Sequence, residues 1–193
     1  MPVRNLVAVV ALALLVFWAV GAYNRLVRLK NAIAQAFGPL DVQLKRRYEL
    51  ISQLLEAIKK YLQHESGTLD ALLAARNQAR SASDALRSRP ANAAAVSALA
   101  AAEQTLDDSL GQLFAVAEAY PELQADPTQR ELREELSRTD NKAAFARQAY
   151  NDAALAYNNA QGQFPALLIA RLFGFVPSAL LCATESAQEG QAS

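Results

Sequence analysis

From Leu6 to Ala22 the chain carries seventeen consecutive uncharged, mostly apolar residues, and Tyr23-Asn24-Arg25-Leu26 follows with no linker. At about 1.5 Å of rise per residue, a helix over that run just spans the hydrocarbon core of a bilayer. No second run of this kind follows; residues 23–193 are polar and alanine-rich. The expectation is one membrane anchor (1–22) carrying one domain (23–183). A signal peptide is the rival reading, because Arg4 precedes the run and Val20 and Ala22 stand at small-residue spacing before Tyr23. The run is longer than a usual signal core, and a helical pattern crosses the supposed cut, which favours an uncleaved anchor. Arg25, Arg28, Lys30, Lys45, Arg46 and Arg47 outweigh Arg4 and the terminal amine, so the domain is expected on the cytoplasmic side. An outward-facing domain is the alternative.

Composition narrows the function classes. Nineteen basic residues balance nineteen acidic ones, which argues against a broad nucleic-acid-binding face. One His and one Cys supply neither a His/Cys zinc cage nor an internal disulfide, so no metal site or cofactor is expected. Gly and Pro number only seven each, and helix is favoured throughout.

Apolar positions from Leu26 step by three and four through Leu29, Ile33, Phe37, Leu40, Leu44, Tyr48, Ile51, Leu55, Ile58 and Leu62, one face of a long helix. Gly38-Pro39 predicts a kink or short break in it. His64 to Thr68 reads as a turn, with Ser66 or Thr68 as a cap and a second helix from about Leu69 to Arg87. Asn92 opens a third helix that ends at Tyr120-Pro121. Pro127 opens a fourth, reaching Phe164-Pro165 through Leu132, Leu136, Phe145, Tyr150, Leu155 and Tyr157. The fold class predicted is all-α: an N-terminal transmembrane helix, then an up-and-down four-helix bundle with a short C-terminal helix.

That short helix lies between Pro165 and Gly174, with Gly174 at the position just past its end. Rise arithmetic returns the chain to within about 20 Å of the membrane at this point. Leu167, Leu168, Ile169, Leu172, Phe173 and Phe175 make the segment apolar almost all round. It reads either as a lid on the open end of the bundle or as an interfacial contact with lipid. Residues 184–193 are small and polar, and disorder is expected there.

Several strings, taken in order, resemble the LemA family of bacterial membrane proteins: Tyr23-Asn24-Arg25-Leu26-Val27, Asp41 to Tyr48, His64-Glu65, Phe114 to Pro121, Asn141-Lys142, Ala146 to Asn151, Tyr157-Asn158, Phe164-Pro165 and Phe173-Gly174-Phe175. The resemblance implies a single-pass protein of the bacterial inner membrane with a helical bundle and no established enzymatic activity. A magnetosome membrane protein is similar to this family, which implies a link to membrane organisation. Gly38-Pro39 and the absence of an aromatic, basic C-terminal tail depart from the family pattern.

Three groups of residues stand out as candidate sites. Lys45-Arg46-Arg47 is the densest positive cluster and reads as a solvated helix face or as a docking patch for a protein partner. Tyr150 and Tyr157, like Asn151 and Asn158, lie seven apart and so share a helix face. The amides read as buried groups bonding to each other or to Asn24 or Asn31, which fixes helix register, or as a groove for a peptide or small ligand. His64-Glu65 reads as turn capping; adjacent helical residues do not face one another, and no second His exists to complete a metal or acid–base site. No catalytic residue is assigned and no enzyme activity is expected. The function expected is a membrane-anchored scaffold or adaptor with protein partners or copies of itself. The alternatives are a membrane-shaping protein and a peptide or small-molecule binding module.

Overall fold

The structure is a computed structural model that describes residues 3–62, 64–164 and 166–181. Cys182, Pro165 and the tail 184–193 lie outside the described residues. Helix α1 runs from Val3 to Lys59 without interruption, so the apolar run and the first bundle helix are one helix. The supposed cut between Ala22 and Tyr23 falls inside it. Its N-terminal part is long and apolar enough to cross a membrane, and none of that window is buried against the rest of the chain.

The break expected at Gly38-Pro39 is absent. A proline at position 39 denies the Gln35 carbonyl its helical partner, at up to about 3 kcal/mol. Gln35, Gly38 and Pro39 all lie on the exposed face, where water can take that carbonyl. Phe37 and Leu40, on the other face, are locked in the core and hold the helix through the fault. Pro39→Ala is therefore expected to raise stability by about 1–2 kcal/mol, the gain being reduced by the freer unfolded chain. Gly38→Ala should add about 1 kcal/mol, since an added Cβ meets nothing within 4 Å. Thermal unfolding checks both.

After α1 come α2 (Ser66–Ser88), α3 (Ala93–Ala117), the single turn α4 (Pro121–Ala125), α5 (Pro127–Gly162) and α6 (Ala166–Phe173). The four long helices run up and down, with α1 packed along α5 and α2 along α3. Asn92 caps α3 by accepting the Ala95 N–H at 2.9 Å, and Asp126 caps α5 by accepting from Thr128 at 2.9 Å. Neither Ser66 nor Thr68 caps α2; both lie inside it, and Glu65 holds the cap position with no side-chain hydrogen bond. Gly174 takes φ 68°, and the Phe175 N–H reaches the Ala170 carbonyl at 2.9 Å, which closes α6 with a Schellman turn.

The core follows the predicted α1 face, with Leu26, Ile33, Phe37, Leu40, Leu44, Tyr48, Ile51, Ile58 and Leu62 all buried. On α5 the pattern differs. Its inner stripe is Leu136, Ala143, Ala146, Tyr150, Ala154, Tyr157 and Ala160, while Phe145 and Leu155 lie outside. Phe145 and Leu155 each sit one residue, about 100° round the helix, from a buried alanine (Ala146 and Ala154), so they turn outward.

The α2–α3 hairpin is shorter than the α1–α5 pair. Its turn, Ser88 to Ala94, lies beside Lys30, Asn31 and Ala34, and α1 and α5 continue past it. Helix α6 and the extended segment 174–181 fill this lower half in place of helices two and three.

Candidate membrane-proximal site

The lower half is organised by the Tyr-Asn stripe of α5. Asn158 donates to the Ser178 carbonyl at 2.8 Å and accepts from the Ser178 N–H at 2.9 Å. Asn151 repeats the motif on Leu181, at 2.9 and 2.8 Å. Tyr157 donates to the Val176 carbonyl at 3.2 Å, as does Gln161 at 3.3 Å, and Tyr150 donates to the Pro90 carbonyl at 2.7 Å. The spacing explains the choice of residues. Seven helical residues rise about 10.5 Å, and three extended residues cover about 10 Å, so each amide meets one peptide group of an antiparallel strap.

The helix-register network expected for these amides is not formed. Asn24 and Asn31 are exposed on α1, on the side away from α5. An α1 residue at either position cannot reach the α5 stripe because Leu26 and Ile33 occupy the contact face. Asn151 and Asn158 instead read main chain on the strap. Gln161, the third amide on the strap, falls off the seven-residue repeat, so spacing alone gives no sign of it.

The clamp holds α6 against the end of the apolar run. Ala166, Ile169 and Ala170 bury against Leu26 and Ala160, and Ala19 and Ala22 pack on the same cluster. Of the six residues assigned to lipid contact, Ile169 is therefore turned inward, and Leu167 and Phe175 are half-buried. Leu168, Leu172 and Phe173 face outward, with Val176 and Phe164 beside them in sequence also exposed. Tyr23 joins this surface, its ring 5.0 Å from Phe173 and 5.7 Å from Phe175. A crevice of about 240 Å³ between the two elements is lined by Ala19, Val20, Tyr23 and Phe173 alone. Phe173 thus sits at the level of α1 residues 19–23, up to about 5 Å below the end of the apolar run. Arg25, Arg28 and Arg171 are exposed around this level, and Lys30 lies 5.9 Å from the Phe175 ring centre. The result is an apolar collar with a basic fringe.

Lys45, Arg46 and Arg47 do not form one surface patch, because successive helical residues point in different directions. Arg47 is buried and faces α3 and α5, where it meets Glu103 at 2.5 Å, Asp140 at 2.9 Å and Asp107. Tyr48 donates to the other oxygen of Glu103. Burial works against the Arg47 charge, but Glu103, Asp140 and Asp107 outweigh it and hold the guanidinium more firmly protonated than usual. Burial raises the Asp140 carboxyl; Arg47 opposes the shift, and Asp107 and Glu103 add to it. Arg46 reaches across to Glu135 on α5, and Lys45 pairs with Asp41 at 2.9 Å on the side facing α2. At the far end His64 is exposed in the α1–α2 turn.

A family model described as the LemA family matches residues 36–192, most of the chain. The match lies downstream of the apolar run. No curated protein matches the chain.

Proposed function

The chain belongs to the LemA family, and on that premise we propose that it is a non-catalytic, membrane-anchored scaffold whose helical bundle is seated on the bilayer by two contacts, the α1 anchor and the α6 collar. The observation that carries this reading is the packing of α6 on Ala19 and Ala22, residues of the apolar run itself. If that run lies in hydrocarbon, Leu168, Leu172 and Phe173 lie at the lipid surface with no protein to cover them. Tyr23 at this depth and basic residues just above it match the interface of an anionic leaflet. The positive flank supports a domain on the cytoplasmic face of a bacterial inner membrane. Seating the bundle fixes its height and orientation, which raises the local concentration of its helix faces for protein partners or further copies.

A membrane-organising role is the second reading, favoured by the collar lying on one side of the anchor only. Wedging one flank of a span spreads one leaflet locally. Both readings meet in one experiment. Residues 24–193, lacking the anchor, are expected to float with anionic vesicles, and the triple variant Leu168→Ser, Leu172→Ser, Phe173→Ser should remain at the bottom of the gradient. Tubulated or clustered vesicles under the electron microscope would favour the organising role. Wild-type protein left unbound would restrict lipid contact to the anchor.

A further inference from the structure

Where Lys45 faces α2, the two helices enclose a recess of about 320 Å³ lined by Lys45, Arg76, Arg80 and Arg87, with Glu49 and Asp84 as its carboxylates. The pairing within it is uneven. Lys45 and Arg87 both engage Asp41, at 2.9 and 3.1 Å, and Arg87 also pairs with Asp84. Glu49 is 3.7 Å from Arg46, which is not part of the lining. Arg76 and Arg80, one turn apart on α2, have no carboxylate partner among the described residues. Arg76 is nevertheless held in place: its Nε donates to the Tyr48 carbonyl at 3.1 Å and its Nη1 to Asn77 at 2.9 Å. Burial and the neighbouring Arg80 charge weaken its hold on its proton, and Glu49 only partly restores it. Two like charges a turn apart with neither paired to a carboxylate destabilise each other, and an anion held by both removes that repulsion.

We propose that this recess binds a small, multiply charged phosphoanion, with Arg76 and Arg80 as its principal ligands and Lys45 and Arg87 at its edge. Guanidinium forks match the oxygen spacing of a phosphoryl group, and a fixed arginine loses little freedom on binding. The volume is at the low end for ligand sites, which suits a diphosphate-sized group and not an extended chain. The anion comes from solution. Lys45 stands about 35 Å beyond the apolar run, several Debye lengths from any headgroup. The site is independent of the collar.

The test is a calorimetric titration of the full-length protein in nanodiscs of neutral lipid with pyrophosphate, at near-physiological chloride. One saturable site is expected, together with a rise in the unfolding temperature at saturation. Losing one charge-assisted contact should weaken binding about tenfold or more, so Arg76→Gln and Arg80→Gln should each do so. Arg130→Gln, an exposed arginine at the other end of the bundle, should leave it unchanged. Arg80 is exposed and has no structural hydrogen bond, so its variant should unfold at the wild-type temperature without anion and isolates binding from folding. No saturation at millimolar pyrophosphate would overturn the proposal. So would equal weakening by Arg130→Gln, or binding of an acidic peptide in place of pyrophosphate.

Discussion

Replacing Arg47 by leucine is expected to destabilise the bundle by about 3 kcal/mol or more, the usual cost of leaving one side of a buried ion pair without its partner. Arg47 and Glu103 are both buried, their side chains only 6% and 8% exposed, so water cannot take over from the lost guanidinium. Asp107 and Asp140 would add repulsion to an already uncompensated Glu103. For a domain of this size the loss corresponds to a fall of roughly 6–12 °C in Tm. Its pH dependence has a definite sign. Burial already raises the Asp140 carboxyl against the pull of Arg47; without the cation Asp140 binds its proton still more tightly in the folded state than in the unfolded chain, so acidification favours the fold. The deficit relative to wild type should therefore shrink as pH falls through the raised folded value of Asp140 towards the ordinary carboxylate range. Arg46→Leu, one residue away, breaks only half-exposed pairs with Glu135 and Glu49 and should cost far less. Denaturant melts of the two variants between neutral and acidic pH make the comparison. Equal losses would mean that the buried cluster is not what ties α1 to α3 and α5.

The second large effect is local. Asn158→Ala removes both hydrogen bonds to Ser178 and leaves a buried N–H and C=O without partners, at about 1–3 kcal/mol for each group. Asn151→Ala does the same at Leu181. Ser178 and Leu181 are 5% and 4% exposed, so their amides should be well protected in wild type. In either variant exchange at the affected amide should accelerate roughly thirtyfold or more, as a loss of about 2 kcal/mol implies. Amides at the start of α2, at the opposite end of the hairpin from its turn, should keep their wild-type rates; Leu181 lies beside Leu99, Ala100 and Glu103, so α3 is no control. Uniform acceleration through the bundle would show that the strap is part of the global folding unit and not a separately held element.

Periodicity was enough to read most of the architecture. The α1 face from Leu26 to Leu62 is written in steps of three and four, and Asn92, Asp126-Pro127 and Gly174 mark helix ends that the structure keeps. Local signals failed where tertiary packing was stronger. Pro39 breaks an isolated helix, but here Phe37 and Leu40 are buried on one face and water is available on the other. Phe145 and Leu155 read as core because they are large, yet Ala146 and Ala154 beside them hold the buried face. Charge density along the chain misled in the same way. Lys45, Arg46 and Arg47 are adjacent in sequence and point into three environments, whereas Lys45, Arg76, Arg80 and Arg87 converge from two helices. The Tyr-Asn repeat was visible as a heptad spacing. Its partner was not, because the strap folds back only after the turn at Gly174, and neither amide carries any sign of which backbone it will meet.

The claim on which the functional reading rests is that α6 touches lipid in the intact protein. Spin labels at Leu168→Cys and Leu172→Cys, with Phe145→Cys as a label on the bundle flank and Cys182→Ser throughout, place it directly. The full-length chain is reconstituted in anionic bilayers, and collision of each label with oxygen is compared with collision with a water-soluble nickel chelate. Residues 168 and 172 are expected to favour oxygen, at the depth of the headgroup–acyl boundary, while residue 145 favours the chelate. All three labels behaving as aqueous would mean that the collar stands clear of the bilayer, and the second lipid contact would have to be abandoned.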